Sequence, residues 1–145
     1  MAVTVKKITL WRTEVENQPG ALAATLEQPA AAGADFRLMM GYRHPTLAGK
    51  AAIEVFPVAG KKAAAAAAAA GLSAAAIPTL LVEGDNRAAL GHAIAQALSG
   101  AGINIAFLVA QVIGRKFAAV VGFETEDDAA KAAPLIKKAT RAGKR

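Results

Sequence analysis

Over residues 7–15 apolar side chains alternate loosely with polar ones, Ile8, Leu10, Trp11 and Val15 being the apolar members, and this period of two predicts a β-strand. Residues 20–32 read as a helix. Pro19 suits its start, where a missing N–H is no loss, and Gly33 suits its end, where a left-handed backbone is tolerated. Two further apolar runs, residues 36–43 and 51–57, predict a strand pair across a connection over 42–50, and residues 61–70 a helix stopped by Gly71. That is one βαββα unit. The order then returns: a strand over 79–83, a helix over 88–100, strands over 103–113 and 116–124 about the two-residue turn Gly114-Arg115, and a helix over 126–139. Glu126, Asp127 and Asp128 fall in the first turn of that last helix, near the positive end of its macrodipole, with Lys137 and Lys138 near the negative end.

The second half is a copy of the first. At an offset of 69 residues, Asn17-Gln18-Pro19-Gly20 falls on Asn86-Arg87-Ala88-Ala89, Ala32-Gly33 on Ala101-Gly102, and Asp35-Phe36 on Asn104-Ile105. The boundaries that follow are a first unit over 1–73, a second over 74–140 and a basic tail over 141–145. No final strand is evident in either unit, so the strand over 79–83 is expected to complete the first sheet while opening the second. The eight alanines over 63–70 favour a helix but bury little apolar area each. We expect an α+β protein, two βαββα units in tandem related by a pseudo-two-fold axis.

Composition narrows what such a chain does. Apolar residues make up 54% and charged ones 19%, far from the balance that leaves chains disordered. There is no cysteine, which removes disulfides, thiolate nucleophiles and Cys-ligated zinc. No apolar run is long and strong enough for a membrane span, and Lys6 and Lys7 are not followed by a secretion signal, so a soluble cytoplasmic protein is expected. The net charge of +6 is concentrated: five of the 17 basic side chains lie in residues 137–145, leaving 12 against 11 acidic ones. A nearly neutral body argues against nucleic acid as a partner. His44 and His92 have no ligand partners at useful spacing, so no metal and no cofactor are expected. Arg43, His44 and Lys50 around one loop are the nearest approach to a catalytic cluster, yet no acid/base pair with an orienting group is among them, and we expect no enzyme.

Two stretches carry a resemblance. Glu16-Asn17-Gln18-Pro19-Gly20-Ala21-Leu22 with Gly33-Ala34-Asp35-Phe36, and Asp85-Asn86-Arg87-Ala88-Ala89-Leu90 with Gly102-Ile103-Asn104-Ile105, resemble the ACT domain in both halves. The resemblance implies a ferredoxin-like two-layer sandwich in which paired units bind a small molecule, commonly an amino acid, at the interface between them and signal to a protein partner. Two departures are visible: Ala88-Ala89 stands for Pro-Gly in the second copy, and Asp35 for an expected Asn in the first.

The site can also be placed from physical chemistry. A helix start presents unsatisfied N–H groups to a carboxylate, which points to Gly20, Ala21 and Leu22, and to Ala89, Leu90 and Gly91, while the resemblance adds Asn17, Pro19 and Asn86. Asp35 and Asn104 open the neighbouring strands and can accept from an ammonium, with Phe36 and Ile105 as apolar wall. Against this stands a plain structural role for the same residues as helix caps and turns. A homodimer or a regulated protein partner fits the same expectation, because edge strands need cover. An RNA-binding domain of the same fold is the alternative, and a small enzyme ranks below it.

Overall fold

The computed structural model describes residues 3–142 and contains two four-stranded antiparallel sheets and four helices. One unit is Thr9–Ala76. Its elements are β2 (Trp11–Glu16), α1 (Ala21–Ala31), β3 (Leu38–Arg43), β4 (Lys50–Phe56), α2 (Lys61–Ala69) and β5 (Ser73–Ala74), with sheet order β3-β4-β2-β5. Alternation along β2 and β4 sends Trp11, Val15, Ile53 and Val55 toward the helices, where they meet Leu26, Phe36, Ala67 and Leu72. Only Ala67 of the alanine-rich α2 is buried, so that helix contributes little apolar area to the core.

The other unit joins β1 (Thr4–Ile8) to everything from Ile77 onward. Here β6 (Thr79–Asp85), α3 (Leu90–Gly100), β7 (Ile105–Ile113), β8 (Lys116–Phe123) and α4 (Glu126–Ala142) follow, with order β1-β6-β8-β7. This core is richer. Leu80 and Val82 of β6, Phe117, Val121 and Phe123 of β8, Leu90, Ile94 and Leu98 of α3 and Ile136 of α4 are all buried in it. Thr125 starts α4 by accepting the Asp128 N–H on its hydroxyl at 3.0 Å, and Glu126, Asp127 and Asp128 occupy the first turn as the sequence led us to expect.

Three expectations are corrected. The strand expected over 7–15 is two strands broken at Thr9-Leu10, and they enter different sheets: Thr4–Ile8 pairs with β6, whereas Trp11–Glu16 pairs with β4 and β5. The strand over 79–83 does not complete the first sheet, because β5 takes that edge, pairing Trp11 with Ala74 and Arg12 with Ser73. The cut at residue 73 accordingly differs from the division found, in which the opening strand belongs with the second copy. Of the basic tail, Arg141 lies in the last turn of α4, and residues 143–145 lie outside the described residues.

The strand-to-helix turn has the same backbone in both copies despite different residues. Gly20 precedes α1 at φ 90°, and Ala89 precedes α3 at φ 68°. Among the described residues Ala89 is the only non-glycine at positive φ. Its Cβ crowds the backbone there at a cost of about 1–2 kcal/mol. Gly122 is needed for another reason: a Cβ on it would run into the ring of Phe107 on the neighbouring strand.

Two stability predictions follow from these positions. Ala89→Gly relieves the strain and loses part of the gain to unfolded-chain entropy, so we expect stabilisation by about 0.5–1 kcal/mol, measured as a higher midpoint in urea unfolding. Gly122→Ala displaces Phe107 and should destabilise by about 1–3 kcal/mol in the same measurement.

Candidate functional site

In the unit Thr9–Ala76 the end of β2, the start of α1 and the β3–β4 hairpin enclose a cleft of about 290 Å³. Its geometry starts with the turn. The Asn17 N–H donates to the Gly49 carbonyl at 2.9 Å, tying the chain after β2 to the hairpin connection, and left-handed Gly20 then turns it into α1. No side chain caps α1, so Asn17 is not spent as a cap. The N–H groups of Leu22 and Ala23 have no acceptor among the described residues. They are donors at the positive end of the helix. Val15, Leu22 and Ile53 give the cleft apolar walls, and Asn17, Gln18, Tyr42 and Arg43 give it polar groups.

The charges around this cleft are mostly paired. Arg12 donates from Nη1 to Glu14 Oε2 at 2.6 Å and from Nε to the buried Glu54 Oε2 at 3.1 Å. Hydrogen bonding to Arg12 lowers the pKa of the Glu14 carboxyl, and burial, which disfavours the Arg12 cation, is outweighed by Glu14, Tyr42 and Glu54 together. Tyr42 donates its hydroxyl to the same Glu54 oxygen at 2.7 Å, and burial followed by that carboxylate raises its pKa. Lys50 pairs with Glu16, and, beyond the far end of α1, Arg37 pairs with Asp35 at 3.5 Å. Arg43, exposed and lining the cleft, has no ion-pair partner among the described residues.

His44 holds the hairpin. Its Nδ1 accepts the N–H groups of Thr46 and Leu47 at 3.2 and 3.0 Å, so Nε2 carries the proton and donates to Glu14 Oε2 at 3.1 Å. With His44 and Lys50 both engaged, the cluster Arg43, His44, Lys50 retains Arg43 alone as a free group.

The second copy repeats the turn in different surroundings. The Asn86 N–H donates to the Arg115 carbonyl at 2.8 Å, matching Asn17 and Gly49, and again no side chain caps the helix. Leu90, however, is 2% exposed and its side chain belongs to the core. Arg87 turns to the end of α4, where its Nη2 donates to the Thr140 carbonyl at 2.7 Å, a cation at a negative helix terminus. Asn104 and Ile105 line a separate, open hollow of about 410 Å³ with Ala95, Ser99 and Gly102, and Asn104 Nδ2 donates to Glu124 Oε2 at 3.2 Å.

Within each unit, then, the two halves of the expected constellation stand at opposite ends of an 11-residue helix, about 16 Å apart. Asn17, Ala21 and Leu22 line the cleft, with Pro19 and Gly20 exposed in the turn between them. Asp35 is exposed beyond the far end of α1, and Phe36 packs against the core. Arg43 and Gln18 also line the cleft and were not among the expected ligand groups. Only the pairing of the other cations singles out Arg43, and that pairing is not written in sequence spacing.

Phe117 and Phe123 are buried in the core, so neither offers a face for a stacked base. No group of three or more His, Asp or Glu suited to a metal occurs among the described residues, and no helix there is long and apolar enough to cross a membrane.

No protein-family model matches the chain, and no curated protein matches its sequence. Solved structures do. A protein from Bacteroides thetaiotaomicron is similar at 15% identity and a TM-score of 0.73, over 92% of this chain and 89% of that one. The regulatory subunit of aspartate kinase from Thermus thermophilus is similar at 14% identity and 0.62, over 100% of this chain and 98% of that one. Its counterpart from Thermus flavus is similar at 16% and 0.57, over 98% and 96%. The two sheets and four helices, matched almost end to end by those chains, are those that the sequence resemblance implied: in fold, the chain is similar to tandem ACT-domain proteins.

Proposed function

We propose that the chain is a regulatory binding protein and no enzyme, and that it holds a small carboxylate-bearing metabolite, an α-amino acid, in the cleft at the start of α1. The observation that carries this reading is the convergence of unpaired Arg43 with the acceptorless N–H groups of Leu22 and Ala23 beside apolar Val15, Leu22 and Ile53. A carboxylate is the group that both kinds of donor recognise. A cleft of about 290 Å³ lies at the small end of ligand sites, which suits a single metabolite. The side-chain oxygens of Asn17 and Gln18 are the available acceptors for an ammonium, and the apolar wall receives an aliphatic side chain. The similarity in fold to regulatory subunits supports a sensor that passes occupancy to a protein partner.

Thermal shift and calorimetry against the twenty amino acids test the reading. One aliphatic amino acid should raise the melting temperature by mass action, and Arg43→Ala should weaken its binding about tenfold or more, the loss of a charge-assisted hydrogen bond. Asn104→Ala, in the other hollow, should leave that affinity unchanged. Absence of any shift, or binding indifferent to Arg43→Ala, would overturn the assignment of the cleft.

A further inference from the structure

A strand interior is an unfavourable place for glycine, which loses more chain entropy on folding than any other residue and brings no side chain to pack. The strands of the described residues nevertheless hold Gly41 in β3, Gly84 in β6 and Gly122 in β8. Two of these are explained by their surroundings. A Cβ on Gly84 would stand 2.9 Å from Val3, and one on Gly122 would run into the ring of Phe107. Gly41 is different. Its φ lies outside the left-handed region, and a Cβ there would meet no atom within 4 Å, its chain neighbours aside, among the described residues. Neither the backbone conformation nor protein packing calls for a glycine at this position.

The space that Gly41 leaves belongs to the cleft. Gly41 is paired with Ile53 of β4 and lies two residues from Arg43 on the same strand, and side chains alternate from face to face along a strand. Arg43, Gly41 and Ile53 therefore share the face turned toward the helices. All three line the cleft, with Val15 and Leu22 as further apolar wall. A gap over a strand glycine, bordered by apolar side chains, is what close approach of a ligand requires. We propose, resting on the reading of the cleft as an amino-acid site, that Gly41 is its specificity-determining residue. The far end of the ligand's side chain occupies the gap over the Gly41 Cα, against Ile53, so the cleft takes amino acids with a δ carbon, leucine or isoleucine, in preference to valine and alanine.

Length along the strand decides between these side chains. Arg43 and Gly41 are two residues apart, about 7 Å in an extended strand. A carboxylate held beside Arg43 fixes one end of the ligand. From the carboxylate carbon to a δ methyl there are four carbon–carbon bonds, about 5 Å when extended, and the contact radius of the methyl, about 2 Å, brings its surface to Gly41. Alanine, with two such bonds, spans about 2.5 Å and leaves the gap empty. Valine falls short by one methylene step. The lining of an unfilled gap loses its contacts on that side, and a missing methylene in an apolar pocket weakens binding about tenfold or more. Gly41→Ala places a methyl where the δ methyl of the ligand lies, with no strain on the extended backbone.

Titration calorimetry of the full chain with leucine, isoleucine, valine and alanine, repeated on Gly41→Ala and Arg43→Ala, tests this role. The unaltered chain should bind leucine or isoleucine about tenfold or more tighter than valine. Gly41→Ala should weaken that binding about tenfold or more and change the affinity for valine by less than about threefold, so that the preference is lost or reversed. Without ligand the same variant should melt no lower than the unaltered chain, because the added methyl meets no neighbour and alanine loses less chain entropy than glycine. A glycine with a structural role alone would give the opposite pair of results, a lower melting temperature and equal losses for every ligand, and would overturn the proposal. Binding that is weakened by Arg43→Ala but keeps its order under Gly41→Ala, or that favours valine or alanine from the start, would overturn the role of Gly41 and leave the cleft assignment standing. If none of the twenty amino acids binds the unaltered chain, the two fall together.

Discussion

An inner strand needs a partner on each side, and much of this chain's organisation follows from how that demand is met around β6. β8 covers one side of it. β1 covers the other, through five residue pairs from Thr4 opposite Glu83 to Ile8 opposite Thr79. Satisfying those backbone groups is worth more than keeping the repeat contiguous, because an unpaired buried donor or acceptor costs on the order of 1–3 kcal/mol. Val3 then enters the core and Lys7 reaches Glu126 at the start of α4. In the Thr9–Ala76 unit the same place is held by the two residues of β5, so one topology is completed by two unrelated segments.

The copies have diverged in what their matching positions do. The turn backbone is common to both, down to the bond from the asparagine N–H to the hairpin carbonyl. In one copy it opens onto a cleft with free donors. In the other, Leu90 fills the core and Arg87 binds the end of α4, which turns equivalent residues into structural ones.

The order of elements was legible in the chain because apolar periods of two and between three and four are local properties, and the offset of Asn17 onto Asn86 is visible by inspection. Which sheet a strand joins is not local. Thr4–Ile8 and Trp11–Glu16 read as one strand because nothing at Thr9-Leu10, neither glycine nor proline, marks the break, and two-residue β5 is too short to show a period. The helix-start half of the candidate site was legible through Pro19-Gly20. Arg43 was not, since its freedom is known only after Arg12 has been found with Glu14 and Glu54, and Lys50 with Glu16, partners up to 42 residues away. Nor does helical spacing say whether Leu90 faces solvent or core at the first position of its helix.

The exchange of β1 also sets a timetable. On the ribosome Ile8 emerges about 70 residues before Thr79, its partner across the ladder. At roughly 5–20 residues per second the opening strand waits several seconds for a sheet to join. Thr9–Ala76 has all its own strands by then and can close first. A strand made early is thus among the last to be placed, and meanwhile Lys6 and Lys7 keep that waiting strand a poor partner for any other edge it meets.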